Sequence, residues 1–223
     1  MIILGLDTST RAGSVAIFDT EGQAPCEITT SGSAKHSENL VPDIDKLLSR
    51  CGLALDEIDL IAVAIGPGSF TGLRVGLSTA KGFSYSLNKP LVAVDSLMAR
   101  AFSAGKTGET AVCLDAMRGE VFGGVFSFYK DKNPNEIVAS SIFSAEKFAE
   151  ICKSRGISSI YTDSVGDDVQ EIMENCDIDI ISFDYNSLNI CKLGYITYKN
   201  NGSDDINTLS PRYLRDFLPG VPR

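Results

Sequence analysis

Two stretches of the chain share one pattern. LGLDTSTRAGSVAIFD (Leu4–Asp19) and VCLDAMRGEVFGGVFSF (Val112–Phe128) each run an apolar strand into Leu-Asp, then a polar turn containing glycine, then a second strand. A unit that recurs within one chain limits the fold more than any local propensity does, because both copies must bury equivalent faces. The repeat predicts two related α/β halves, 1–104 and 105–223. SAGKTGE (Ser103–Glu109) is the best linker candidate between them.

The first half fills in around its hairpin. Ala24–Thr30 reads as a third strand, and SGSAKHS (Ser31–Ser37) as a polar lead into a helix. In that helix Leu40, Ile44, Leu47, Leu48 and Cys51 share one face, and Asp43, Lys46 and Arg50 point elsewhere. Pro42 must lie in the first turn or kink the helix, and Gly52 stops it. Leu60–Ile65 is a continuous apolar run, the mark of a strand buried on both faces. Leu73–Leu87 is helical, closed by Asn88 and Pro90. Leu91–Val94 is the next strand, and the crossover implies parallel pairing. Ser96 is expected to cap a helix reaching Ala104. In the second half Phe143 and Phe148 bracket a Ser144 cap as a hydrophobic staple. Its helix ends near Gly156. Ser159–Asp163 is a strand, and Asp167–Asn175 and Asn186–Asn200 are helices, the last with Leu188, Cys191 and Tyr195 on one face. The tail is too proline-rich at its end to be regular, and it and the last helix are expected to pack back on the first half.

Between the buried strand and its helix lies AIGPGSFTGLRVG (Ala64–Gly76), at the carboxyl end of a strand, where open α/β sheets place function. It fits neither phosphate template. A P-loop needs Gly-Lys-Ser/Thr after Gly and four residues, but Thr71 stands five after Gly66 and Leu73 five after Gly68. Thr71 also replaces the third glycine of GxGxxG. A helix N-terminus still offers free N–H groups to an anion, although Pro67 has none to give. The simpler reading is a strand-to-helix turn that glycine makes sterically accessible. In the helix that follows, Leu73, Gly76, Leu77, Ala80, Phe83, Ser84 and Leu87 share a face, and Gly76, Ala80 and Ser84 form a row of small residues along it. Glycines at 76 and 82 each cost about 1 kcal/mol relative to alanine, which asks for a packing reason. Such a row lets another surface approach closely, either the chain's own sheet or a second subunit. Arg74, Ser78, Lys81 and Tyr85 form a second, solvated face.

Chemistry-bearing residues are few. Asp7, Thr8 and Ser9 sit at a hairpin turn that could hold nucleotide phosphate and Mg²⁺, and Asp115 is the equivalent residue of the second half. Ordinary turn aspartates are the alternative. His36 is the only histidine, so a metal site built on two histidines is impossible within one chain. Ser–His or Cys–His catalysis would need that one residue, in a polar loop. Six cysteines (Cys26, Cys51, Cys113, Cys152, Cys176 and Cys191) are scattered without a CxxC pair, which suggests neither zinc nor a redox motif. The N-terminus MIILGLDTST lacks a charged n-region and a cleavage site. The expectation is a cytoplasmic protein with reduced thiols. A net charge of −9 without a Lys/Arg cluster argues against direct nucleic-acid binding. No apolar run approaches the ~18–20 residues of a membrane span.

HSENLVPDIDKLL (His36–Leu48), IGPGSFTGLRVGLSTAKGFSYSLNKPLVAVDSL (Ile65–Leu97), DAMRGEVF (Asp115–Phe122) and PRYLR (Pro211–Arg215) together resemble the TsaB (YeaZ) family. GPGSFTGLRVG with the downstream AKG is the specific part. The resemblance implies an actin-like, ribonuclease H-like duplicated α/β fold of the sugar-kinase/Hsp70 superfamily, its second half reduced. It implies a role in making threonylcarbamoyladenosine beside the tRNA anticodon, as the non-catalytic partner of the paralogous transferase TsaD, joined by the ATPase TsaE. It implies no cofactor of its own, with ATP or ADP bound only within the complex with TsaD and TsaE, and a homodimer when alone.

The helices Ser37–Cys51 and Leu73–Leu87 are then the ones that bundle with TsaD or a second copy. The interface expected from them comprises Leu40, Ile44, Leu47, Phe70, Leu73, Arg74, Gly76, Leu77, Ala80, Lys81 and Ser84. The catalytic paralogue carries two metal-holding histidines where this chain has Ser96 and Arg100. Serine is a poor ligand and guanidinium repels a cation. Met117 departs from the family's basic residue in the DAMRG stretch. The rivals are an ATP-dependent phosphotransferase using Asp7 and Asp115, and a metallopeptidase of the same superfamily.

Overall fold

A computed structural model describes residues 1–22, 24–30, 36–129, 134–163, 165–183 and 185–215. The hairpin-led repeat is realised as two five-stranded sheets. In the first, β1 (Ile2–Asp7), β2 (Gly13–Asp19), β3 (Cys26–Thr30), β4 (Leu60–Gly66) and β5 (Leu91–Asp95) lie in the order β3-β2-β1-β4-β5. In the second, β6 (Gly108–Asp115), β7 (Glu120–Phe128), β8 (Asn135–Ser144), β9 (Ser159–Thr162) and β10 (Asp179–Ser182) lie in the order β10-β9-β6-β7-β8. The two orders are the same once β6 is matched to β1. In both, the first three strands form an antiparallel meander, and the last two join in parallel. Asp7 pairs with Ser14 and Asp115 with Val121, so both Leu-Asp pairs end their strands at the same place in the hairpin.

Helices fill the crossovers: α1 (His36–Cys51), α2 (Phe70–Leu87) and α3 (Ser96–Ser103) in the first half, α4 (Ala145–Ser154), α5 (Asp167–Asn175) and α6 (Leu188–Asn201) in the second. α1 and α2 cover one face of the first sheet, where Leu40, Ile44, Leu47, Leu77 and Ala80 meet Leu4, Leu6, Ile61 and Val63. α4 and α5 cover the equivalent face of the second. The third helices are exchanged. α6 lies on the first sheet, where Ile190, Cys191 and Leu193 pack on Ile3, Leu60, Ala62 and Val92. Gly194 allows this approach, since a Cβ there would collide with Ala62. α3 sends Leu97 and Ala101 into the second sheet against Val112, Leu114 and Phe126. Between the sheets, α3 and α6 also touch each other.

Several local expectations need correction. Pro42 lies inside α1 on its exposed side, past the first turn, where it lacks the N–H that residue 38 would otherwise accept. Asp43 does not face solvent: it is buried and accepts the Thr30 hydroxyl, tying α1 to β3. α2 begins at Phe70, three residues before the apolar pattern, because the Ser69 hydroxyl accepts the Gly72 N–H. Asp95 rather than Ser96 caps α3, taking the N–H groups of Leu97 and Met98 at 2.8 Å each. β8 and β10 have no counterpart among the expected elements. The Ser144 cap and the Phe143–Phe148 contact are as expected, with ring centroids 5.4 Å apart. The polar lead Ser31–Lys35, the His36 side chain and the proline-rich end of the tail (216–223) lie outside the described residues.

Candidate functional site

The glycine turn is locked to the β1–β2 hairpin. Ser69 N–H donates to the Ser9 carbonyl at 2.6 Å, and Thr8 Oγ1 donates to the Gly72 carbonyl at 2.7 Å. A Cβ at Gly68 would strike Ser9, and one at Gly72 or Gly76 would strike Thr8. These glycines let α2 press onto the hairpin. The N–H groups of Ser69 and Gly72 are spent on Ser9 and on the Ser69 cap. The local geometry is that of a packing joint.

This packing corrects the expected interface. Leu40, Ile44, Leu47, Leu73, Gly76, Leu77, Ala80 and Ser84 are all buried within the chain. The helical face with apolar spacing is the one its own sheet covers, and the row of small residues belongs to that contact. Phe70, Arg74 and Lys81 remain accessible. The outward side of α2 presents Thr71, Arg74, Ser78, Gly82 and Tyr85, the last 83% exposed. Beside it α1 presents Val41, 54% exposed. A Cβ at Gly82 would enter open space, so no internal contact requires that glycine.

A charged cluster fills the cleft between the halves. The Arg100 side chain, 1% exposed, leaves α3 and meets both sheets. Its Nε and Nη2 donate to the two oxygens of Asp163, at 2.8 and 3.0 Å, just past β9. Its Nη1 donates to Asp7 at the end of β1, 3.3 Å away, and to the Ser96 carbonyl. The Tyr185 ring lies 4.0 Å from the guanidinium carbon. Burial works against the Arg100 charge, but Asp163 and then Asp7 outweigh it and raise its pKa far above the ordinary value. Burial first, and Asp7 second, push the Tyr185 hydroxyl well above its usual range.

The residues singled out for nucleotide are therefore committed to the fold: Asp7 to Arg100, Thr8 to Gly72, and the Ser9 backbone to Ser69. The Ser9 hydroxyl is buried without a hydrogen-bond partner among the described residues. Asp115 accepts the Met117 N–H at 2.6 Å within its own turn, and no contact joins it to Asp7 among the described residues. Ser96 Oγ accepts the Gly66 N–H at 3.1 Å. A cation here would face a fixed guanidinium between the two carboxylates, so the donor set does not suit a metal. Among the described residues no group of three or more His, Cys, Asp or Glu side chains could hold one.

The PRYLR stretch forms a strap over the same end of the molecule. Arg212 N–H donates to the Ile65 carbonyl at 2.7 Å, at the irregular carboxyl end of β4. Its guanidinium reaches Asp95 at 2.8 Å and the Ser140 carbonyl of β8 at 3.4 Å. Ser140 Oγ also donates to Asp95. Burial is the main cause of the upward shift of the Asp95 pKa, and the Met98 N–H and Arg212 limit it. Tyr213 packs on Phe70 with tilted rings, centroids 4.8 Å apart, and accepts from Arg74 Nε at 2.8 Å. Arg215 bonds the Ala116 carbonyl and Glu120. Sequence reading missed Asp163, Tyr185, Asp95, Ser140 and Arg212 as parts of these clusters. The signals available were that LVAVD and SIYTD each end an apolar run on an aspartate, as the repeat hairpins do, and that Arg212 lies in the PRYLR stretch.

The family model of TsaD, tRNA N6-adenosine threonylcarbamoyltransferase, matches residues 28–162. The tRNA threonylcarbamoyladenosine biosynthesis protein TsaB of Bacillus subtilis is 32% identical over 156 residues, covering 70% of this chain and 67% of that protein. The chain belongs to the TsaB (YeaZ) family. TsaB of Escherichia coli is 35% identical over 137 residues, covering 60% of this chain and 57% of its own. TsaB of Haemophilus influenzae is 34% identical over 125 residues, and the chain spans about half of that relative's length (52%). Among solved structures, YeaZ from Pseudomonas aeruginosa superimposes with a TM-score of 0.80 at 24% identity, over 96% of this chain and 99% of that one. The ROK hexokinase of Thermus thermophilus follows the same architecture more loosely, at a TM-score of 0.53, 10% identity, and 88% and 99% coverage. The fold is the actin-like duplicated one.

Proposed function

We propose that this chain is a non-catalytic subunit that binds and supports a TsaD-type transferase as it moves a threonylcarbamoyl group to the adenosine beside the tRNA anticodon. The names of the TsaB relatives support the pathway. The observation that carries the non-catalytic reading is the filled cleft. Arg100 occupies the space between Asp7 and Asp163, and those carboxylates have no freedom to hold a metal or activate a nucleophile. ATP or ADP then binds only in the assembly with TsaD and TsaE, and this subunit has no cofactor of its own.

Docking is assigned to the outward side of α1 and α2, around Val41, Phe70, Arg74, Lys81, Ser78, Gly82 and Tyr85. The buried row behind it sets the shape of that surface. Gly82 permits close approach of a partner helix, and Tyr85 offers an aromatic anchor. The same surface serves a homodimer when the partner is absent. A role in tRNA modification supports a cytoplasmic location. With a net charge of −9, contact with tRNA falls to the partner, and no membrane contact is expected. No helix among the described residues is long and apolar enough to cross a membrane.

Reconstitution tests this reading. TsaD, TsaE, tRNA, ATP and the threonylcarbamoyl donor are combined with and without the chain, and modified adenosine is measured. Turnover should depend on adding the chain. Undiminished modification without it, or substrate turnover by the chain alone, would overturn the proposal.

A further inference from the structure

Beyond α6 the chain turns back along the first half. Asp204 joins the β5 edge of the first sheet, its N–H donating to the Leu91 carbonyl at 2.9 Å and its carboxylate accepting the Ala93 N–H at 2.7 Å. Ile206 and Leu209 then pack on the core that α1 and α2 cover. The strap follows, pinned on either side of Tyr213. Arg212 holds Ile65 and Asp95 before it, and Arg215 holds Ala116 and Glu120 after it. Tyr213 is 39% exposed, yet its backbone is tied down on both flanks.

What Tyr213 fixes is Arg74. The Arg74 guanidinium carbon lies 3.8 Å from the Phe70 ring centroid and 5.7 Å from that of Tyr213. Its Nε is spent on the Tyr213 hydroxyl. Arg100, Arg155, Arg212 and Arg215 each meet a carboxylate, but among the described residues Arg74 meets none, and its two Nη groups have no partner. α2 itself contains no Asp or Glu. In a chain of net charge −9, this exposed guanidinium is held by rings and a phenol instead of an acid. It also stands in line with Ser78 and Tyr85 on the outward side of α2.

We propose that Arg74 receives a carboxylate of the docked protein partner and that Tyr213, reaching over from the tail, is its positioning residue. This rests on the docking surface assigned above. The free Nη pair suits a carboxylate gripped by two parallel hydrogen bonds. An exposed arginine ordinarily loses rotamer freedom on forming such a contact. Here the Phe70 ring and the Tyr213 hydroxyl have already set the side chain, so that loss is met in folding and not in docking. A nucleic-acid phosphate would fit the same fork, but the acidic balance of the chain and the lack of a Lys/Arg cluster favour a protein acid.

The test titrates the full chain with purified TsaD by calorimetry at low and high salt. Arg74→Met should weaken affinity about 10-fold and flatten its salt dependence. Tyr213→Phe keeps the ring and loses the hydroxyl. It should weaken affinity about 2- to 5-fold in the parent chain and have no further effect in Arg74→Met. Both variants should melt within about 2 °C of the parent. Unchanged affinity in Arg74→Met would overturn the proposal. If Gly82→Leu still weakened binding, the docking surface would stand without it; if Gly82→Leu also bound fully, that surface would fall too. An equal loss from Tyr213→Phe in both backgrounds would refute the positioning role. Weaker tRNA retention by Arg74→Met, with TsaD affinity unchanged, would give the guanidinium to a phosphate and overturn the carboxylate.

Discussion

The two halves share a strand order and differ in their helices. α1 and α2 have 16 and 18 residues, whereas α4 and α5 have 10 and 9. The meander does not shrink in the same way: β6, β7 and β8 have 8, 9 and 10 residues against 6, 7 and 5 in β1, β2 and β3. The second half has therefore lost crossover layer while keeping its hairpin frame. A strand in the meander is needed by both neighbours for hydrogen bonds, but a helix can shorten as long as it still covers the sheet. The longer α1–α2 layer also presents a longer outward side, which carries Tyr85 and Gly82.

The largest expected effect lies where the halves meet. Arg100→Ala leaves Asp7 and Asp163 buried without their cation and should cost about 3–5 kcal/mol in chemical denaturation. If the loss stays under 1 kcal/mol, the cleft cluster does not hold the halves together. Next, Gly76→Leu should cost about 3 kcal/mol, because its side chain must displace Thr8. Retained stability with lost partner binding would instead return Gly76 to the interface. Arg212→Ala should cost about 1 kcal/mol, since that guanidinium is partly solvated, and should loosen β8 from the first half in hydrogen exchange.

The Asp95 carboxyl in the same strap gives a pH signature. Its folded pKa lies above the ordinary 3.8, so the folded state holds that proton more tightly than the unfolded chain. Its contribution to stability is full below about pH 4 and declines as pH rises through the raised folded value. Asp95→Asn should remove that decline from a series of urea midpoints across the acid range. The smallest effect is on the outward side. Gly82→Ala should stabilise the chain by about 0.5–1 kcal/mol, whereas Gly82→Leu should leave the fold intact and weaken co-elution with TsaD. Full-affinity co-elution of Gly82→Leu would move the docking surface elsewhere.

Much of the frame was legible in sequence because its signals are local. Both hairpins, the β4–α2–β5 crossover, the Ser144 staple and the bounds of α5 rest on apolar runs, caps and breakers within a few residues. β8 escaped because NEIVASSIFS mixes polar and apolar residues on a half-buried strand, and β10 because DIIS is a short edge strand that is mostly exposed, unlike the equally short but buried β9. The small-residue row was visible, but which surface it met depended on where Thr8 came to lie. The cleft and the strap were illegible for the same reason. Arg100 meets Asp163 across 63 residues of chain, and Arg212 meets Asp95 across 117. No spacing rule spans such distances.

The crossing-over of α3 and α6 has a consequence for how the chain comes into being. During synthesis, β1, β4 and β5 emerge long before α6 leaves the ribosome. Until then Ile3, Leu60 and Val92 lack their cover. A chain severed between α3 and β6 would yield two sticky fragments instead of two small proteins, and the nascent first half must wait, greasy side bare, for its last helix to arrive.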